Sequence, residues 1–427
     1  LATTNLASAD AYLKNVYYEP WVEQLNQETV ILDVLEKTNA NDMGTFGGRQ
    51  LIFAAHSSRN RGRGGTTDGG TLATAGTQGG VDGIVNIKYF NVAIELSDQV
   101  IRQTKTDAGS FVRDLTFEME MAQKDMRKDV TRIAYGTGDG LLASCTTTQA
   151  GVNTFAVDSG QYIAVGDTVD VIVRSTGATG TGALARTVTA VAFTGAANGA
   201  TQANANITIS GATISVDNTY GVYIAGDRSN ESDGLRNICS TGRTLHQINS
   251  ATAGNGFWDS NIKDFAQANP SEDGIMQLAQ QIRQRSGFTP KFGMMTLGGQ
   301  RRLANTYTSY KRFNDGNAVE YKGGYDTIFV SAGGNPLPMR ADVDAPCGQF
   351  FLINDDGLCW SQIGAPDWMQ PPDDKGSVFQ LKSGATAGTW QRIWQAWLIW
   401  DACLVSIAPA RQGKGINVFD DIPVARL

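Results

Sequence analysis

SFVRDLTFEMEMAQKDMRKDVTRIAYGTGDG, residues 110–140, is the stretch on which the fold turns. Phe111, Leu115, Met119, Ala122, Met126, Val130 and Ile133 recur every three or four residues, which places them along one face of a helix. The spacing predicts one long helix from Ser110 to Tyr135, with Ser110 as N-cap and Glu120 and Lys124 as a favourable pair on the wet side. Its end is equally legible. Gly136, Gly138 and Gly140 each cost a helix about 1 kcal/mol relative to alanine, so the helix stops there.

Upstream, residues 44–96 hold two apolar, β-prone runs, Arg49 to Ala55 and Ile84 to Ile94, on either side of a glycine-rich middle from Gly62 to Gly83. They predict a long two-stranded excursion with an extended tip. Such a hairpin is marginal on its own and needs another surface beneath it. Residues 1–43 read as an arm with short helical pieces, one capped by Ser8 and one starting at Pro20.

Downstream, the composition shifts to Gly, Ala, Thr and Val from Thr146 to Gly226, where Arg174, Arg186, Asp158, Asp167, Asp170 and Asp217 are the only charges. The runs Thr168 to Val173, Thr187 to Phe193, Ile207 to Ile209 and Tyr220 to Ala225 predict strands of a small β-barrel or sandwich. Mixed character then returns. A helix is expected from Ser271 to Arg285, closed by Gly287, and a shorter one from Arg301 to Tyr310. Strands are expected at Thr327 to Val330 and Gln349 to Ile353, giving an α+β region. Trp390 to Ala408 carries apolar residues on both sides of an extended chain, as a doubly covered strand would, although Trp390, Ile393, Trp394 and Trp397 also fit a helix.

A chain of 427 residues exceeds what one hydrophobic core usually organises. Only 18% of the residues are charged, which is low for an exterior that faces water throughout and points to surface covered by other subunits. A net charge of -7 argues against a dedicated grip on nucleic acid, which needs clustered Lys and Arg to neutralise phosphates. The cysteines 145, 239, 347, 359 and 403 are odd in number and scattered, and they read as reduced thiols of a cytoplasmic product. Asp10 and Lys14 near the start leave no signal-peptide pattern, and no apolar run approaches the roughly 20 residues of a membrane span. That Leu1 is not Met allows three explanations: Met removal, a sequence boundary or proteolytic maturation.

Catalytic chemistry finds little support. The two histidines, His56 and His246, stand in no catalytic or zinc signature, and His56 beside Ser57 and Ser58 lacks the G-x-S-x-G elbow. Arg411-Gln412-Gly413-Lys414-Gly415 is not a phosphate loop, because Ala408 and Gly415 stand where glycine and Ser or Thr are required; it reads as a basic turn. The glycines at 136, 138 and 140 follow a helix where a dinucleotide fingerprint follows a strand. Asn354-Asp355-Asp356-Gly357 lacks the first ligand and the closing glutamate of a calcium loop, and Asp373 and Asp374 read as a solvated turn. No catalytic, cofactor or metal residue is therefore expected. Arg59, Arg61 and Arg63 form the one basic cluster. With no aromatic residue interleaved for base stacking, they are expected to pair with carboxylates of a neighbouring subunit, with phosphate contact as the alternative.

The order of these pieces resembles the major capsid proteins of tailed bacteriophages, with the fold named after phage HK97. Arg132-Ile133-Ala134-Tyr135-Gly136-Thr137-Gly138-Asp139-Gly140-Leu141 is similar to the family's spine-helix ending, and Asp233-Gly234-Leu235-Arg236-Asn237-Ile238 to the same path resuming after an insertion. Lys291 to Thr296, Leu337 to Met339 and Cys347 to Leu352 resemble its axial strands. The resemblance implies an α+β HK97-like capsid fold with an inserted small all-β domain. It divides the chain into an N-terminal arm (1–43), an extended loop or E-loop (44–97), a P-domain with the spine helix (98–145), the insertion (146–226), a return to the P-domain (227–254), an axial A-domain (255–366) and the P-domain's C-terminal strands (367–427).

The function so implied is self-assembly into hexamers and pentamers of an icosahedral head enclosing double-stranded DNA, without enzymatic activity or a cofactor. Expected partners are further copies of the chain, a scaffold function, a portal and decoration proteins, and no membrane. The chain would be made in the bacterial cytoplasm and located in the virion. Arg59, Arg61, Arg63 and Lys88 are the expected subunit-interface residues; Lys88 lies in the loop, but partners for the covalent cross-link of some relatives are not identifiable. An encapsulin-type cage subunit and a β-rich adhesion or tail-associated binding module are the competing functions.

Overall fold

A computed structural model describes residues 28–35, 37–39, 50–99, 114–195, 202–308, 327–332, 335–370, 378–383 and 389–423. The chain divides into two compact units, one of residues 1–27, 93–124 and 369–397, the other of residues 28–92, 125–368 and 398–427. The caps expected at Ser8 and Ser110, the start at Pro20 and the turn at Asp373 and Asp374 lie outside the described residues.

The long helix runs over Asp114–Ala134. Ala122, Met126, Val130 and Ile133 are buried along it, the face that the spacing predicts. Past the helix, Gly138 (φ 86°) and Gly140 (φ 80°) take left-handed conformations that bend the chain away. The second unit's largest core gathers on the last helical turns. Met126, Val130, Ile133 and Tyr135 meet Leu235 and Ile238 of the short helix Leu235–Ile238, together with Phe351, Trp360 and Trp400. Trp360 and Trp400 lie 5.3 Å apart by ring centroid, and Tyr135 and Phe351 5.8 Å.

Residues 141–224 form a closed barrel with its own core. Strands Leu141–Ser144, Tyr220–Ile224, Thr168–Val173, Ala183–Phe193, Ala205–Ile209 and Thr154–Val157 pair in that order. The ring closes where Thr146 N donates to Ala156 O (3.1 Å) and Asp158 N to Ser144 O (2.9 Å). Phe155, Ile163, Val169, Val171, Ile207 and Val222 fill the interior. Of the barrel and the sandwich left open by the sequence, the barrel is what forms, and closure removes the exposed edges of a sheet with few charges to guard them. Gln161 joins it to the rest of the unit, donating from Nε2 to Ala345 O (2.6 Å) and accepting from Cys347 N (2.9 Å).

A second six-stranded sheet is ordered Asn261–Asp264, Gly413–Ile416, Phe350–Ile353, Phe292–Met295, Asn335–Ala341 and Thr327–Ala332, with parallel pairs at Asn261↔Gly413 and Gly293↔Met339. The helix Glu272–Ser286 packs on one face through Ile275, Leu278 and Ile282. Ser271 caps it by accepting from Gly274 N (3.2 Å), and Gly287 ends it at φ 80°. Ser271→Ala is expected to cost about 1 kcal/mol in a denaturant titration. An unchanged midpoint would show that water replaces the cap. The following helix, Leu297–Thr308, starts four residues before the expected Arg301.

Three expectations are corrected. Arg411 to Gly415 is not a basic turn: after the short turn Pro409–Arg411 the chain enters the sheet as the strand Gly413–Ile416. A Cβ on Gly415 would lie 2.2 Å from the Phe350 ring, so glycine is there for close packing in a strand. The return run of the excursion is not one strand. Gly79–Asn86 pairs with Gln50–Ser58, whereas Lys88–Ser97 belongs to the sheet of the last long strand, Trp390–Ser406. That strand settles the choice against a helix, yet both its faces are buried only over residues 402–406, and Trp390 is 68% exposed.

In the first unit, Gln380–Ser383 pairs antiparallel with the start of the long strand, Leu381 opposite Trp394. Lys382 Nζ pairs with Glu95 (2.6 Å) and Arg392 with Asp98.

Candidate assembly surface

The excursion is rooted on its own unit by one face. Leu51 and Val85, opposite each other, are buried against Cys403 and Val405. Phe53 sits opposite Gly83, where a Cβ would fall 2.4 Å from its ring, and reaches Trp258 at 5.9 Å. Alternation turns Ile52 to the other side, 50% exposed. Beyond Ser58 the chain leaves the ladder, and Arg59, Arg61 and Arg63 are all exposed. Asn60 braces the base of this loop, donating from Nδ2 to Gly76 O (2.8 Å) and accepting at Oδ1 from Gly62 N (2.7 Å). Among the described residues no carboxylate pairs with any of the three arginines. They are brought together on one loop and left available for charges from outside.

Lys88 is placed differently. Its Nζ donates to Ser229 O at 2.6 Å, so the ammonium is held by its own chain next to the helix stop. His56, exposed, bonds to Gln78 Oε1 at 2.8 Å, across the base of the same loop.

Beneath the surface lie groups that sequence patterns did not single out. Arg132 Nη2 meets Glu231 Oε1 at 2.6 Å and Nε meets Asp129 at 2.9 Å, with the Arg132 and Glu231 side chains 4% and 3% exposed. Burial works against the guanidinium's charge, but the two carboxylates hold it protonated above its ordinary range. Burial raises Glu231, and Arg132 partly offsets that. Tyr135 donates its hydroxyl to Asp342 Oδ2 at 2.9 Å. These partners stand 99 and 207 residues apart, a separation no local spacing reveals.

The candidate chemical groups are otherwise absorbed into structure. Burial pushes the Cys145, Cys239 and Cys403 thiols up to about 12, which leaves them without thiolate at neutral pH. Asn354 caps the turn Asp355–Gly357, and Lys291 pairs with Asp355 and Asp356, each at 2.6 Å. Lys414 donates to Ser240 Oγ at 2.7 Å and to Arg236 O at 3.1 Å, half-buried in its strand. Among the described residues no group of His, Cys, Asp and Glu could hold a metal, and no helix is long and apolar enough to cross a membrane.

No protein-family model matches the chain, and no curated protein matches it in sequence. Among solved structures it is similar to a chain of the cyanophage A-1(L) capsid asymmetric unit, with 14% identity and a TM-score of 0.57 over 98% of this chain and 100% of that one. A chain of Mycobacterium phage Bobi (9% identity, TM-score 0.49, 97% and 99% covered) and one of a holo-encapsulin complex from Synechococcus elongatus (8%, 0.45, 98% and 97%) are also similar. The cyanophage likeness extends over the whole of both chains and shows the fold: α+β, HK97-like, as the order of the sequence elements implied.

Proposed function

We propose that this chain is the major capsid protein of a tailed bacteriophage, assembling into the hexamers and pentamers of an icosahedral head that encloses double-stranded DNA. The observation that carries this is a capsid fold spanning nearly the entire chain, together with an exposed hairpin whose three arginines pair with no carboxylate among the described residues. The role is structural. Cyclic and icosahedral association reuses one set of patches in every copy, and buried apolar area supplies the driving force at roughly 25 cal/mol per Å² before ordering costs. In this assignment residues 44–97 are the E-loop reaching a neighbour and 98–145 with 227–254 and 367–427 the P-domain. Residues 146–226 are an inserted domain, 255–366 the axial domain and 1–43 an arm. Arg59, Arg61 and Arg63 are the interface residues, and scaffold, portal and decoration proteins the further partners in the virion.

Electron microscopy of the purified chain under assembly conditions tests the assignment. Closed shells are expected; a chain that stays monomeric throughout would overturn it, and shells in infected cells that hold no DNA would favour a cargo cage. Removing residues 62–77, which spares the ladder beginning at Gly79, is expected to abolish shells while leaving the melting temperature of the subunit within a few degrees. Normal shells from the shortened chain would refute the role of the loop.

A further inference from the structure

Between the strands Thr244–Leu245 and Ile248–Asn249 the chain turns on two residues, His246 (φ 51°) and Gln247 (φ 64°). Both are left-handed without being glycine, in a hairpin position that usually calls for Asn-Gly. The turn is held by what it grips. His246 O accepts from Ile84 N at 2.9 Å, in the return strand of the arginine-bearing hairpin. Its ring Nε2 accepts from Ser406 N at 3.1 Å, at the end of the long strand. The same ring meets Phe53, in the hairpin's outgoing strand, edge-on at 6.0 Å. One buried residue therefore touches both strands of the hairpin and the strand beneath them, by its carbonyl to the return strand and by its ring to the other two.

We propose that His246 is a proton-operated latch that fastens the root of the arginine-bearing hairpin to its own subunit. Neutral, Nε2 is an acceptor aimed at the Ser406 N–H. Protonated, it becomes a donor facing a donor, and the bond that holds the ring to the long strand is lost. The charged groups around it are few. Asp233 Oδ2 lies 3.9 Å from Nδ1, Arg243 flanks the turn, Lys88 acts on Asp233, and the Cys403 thiol is neutral. Burial first, and Arg243 second, hold the latched imidazole down to about 3.

A released imidazole returns to about 6.5. Above that pH neither state takes up a proton and the latch is fully engaged. Between about 6.5 and about 3 only the released state binds the proton, so each unit of acidification favours release tenfold. Asp233 works in the opposite sense, because burial raises it in the latched state. That contribution survives replacement of His246 and so can be subtracted.

The consequence for assembly rests on the capsid function, but the latch can be read in the free subunit, so the two can fail separately. The measurement is amide hydrogen exchange by mass spectrometry on the full chain between pH 8 and pH 5, corrected for intrinsic exchange rates. Opening of residues 50–58 and 79–86 is expected to rise about tenfold per unit below pH 6.5, while the helix Glu272–Ser286 does not follow. His246→Gln, whose amide oxygen accepts without titrating, should abolish the response. A variant that keeps the wild-type pH response overturns the latch. If that variant does not fold, the wild-type chain still decides: hairpin protection that is constant with pH, or that falls in step with the helix, overturns it as well.

Discussion

Arg132→Ala is expected to lower the stability of the subunit by about 3–5 kcal/mol, the usual cost of leaving one partner of a buried ion pair alone. The guanidinium serves two carboxylates, and Glu231 behind it is 3% exposed, with no water to replace what it loses. Replacing both partners by apolar residues of similar size, Arg132→Met with Glu231→Leu, should recover most of the loss, since no charge is then stranded. The deficit also has a pH signature. Without Arg132, Glu231 is raised further by its burial, so its charged form costs most above that raised value. The cost fades as pH falls toward about 4.3, where the unfolded chain's glutamate protonates too. Urea titrations at pH 8 and pH 5 provide the measurement. A single substitution costing under 1 kcal/mol, or a deficit that grows on acidification, would show that water reaches Glu231.

Much of this arrangement could be read in advance because its signals are local. The helix Glu272–Ser286 announces itself through Ser271, a four-residue apolar period and Gly287, all within one window. Thr168–Val173 alternates between turn residues and forms with the expected bounds. Strands of three or four residues, such as Thr154–Val157 and Ile214–Val216, are too short to establish a period and passed unnoticed. Gly413–Ile416 failed for a different reason: its two glycines are turn signals in isolation and become strand residues only because Ile282 and Phe350 press against them. The long strand misled over its coverage, because apolar composition does not say which of its faces other elements will reach.

The surface divides in the same way. Arg59, Arg61 and Arg63 stand out as the one basic cluster in a glycine-rich run, and exposure is all that their position adds. His246 gave no signal. His-Gln is not a sequence from which a left-handed turn is inferred, and its partners Ile84 and Ser406 are 162 and 160 residues away. Arg132 belongs to the helix ending that the sequence makes legible, but nothing local marks Glu231, 99 residues on, as its partner.

Gly234→Ala carries the other large expected effect, and it tests the joint where the chain returns from the barrel. Gly234 has an extended backbone (φ -104°, ψ -177°), so the substitution brings no conformational penalty of its own. Space is the constraint. A Cβ there would lie 2.4 Å from Ile133 O and 2.5 Å from Gly136 N, both backbone atoms of the helix stop, neither able to swing aside as a flexible side chain would. The added methyl must push apart the last turn of the long helix and the start of Leu235–Ile238, whose side chains share one core. Overpacking of this kind costs about 3 kcal/mol or more when the neighbours cannot yield. Gly256→Ala is the matched control, since a Cβ there meets nothing within 4 Å and is expected to change stability by less than about 0.5 kcal/mol. Equal midpoints for the two variants in thermal or urea unfolding would mean that the return segment does not seat on the helix stop. A large gap between them would mean that the glycine resuming the chain is there for one reason, the close approach of its backbone to that of the helix stop.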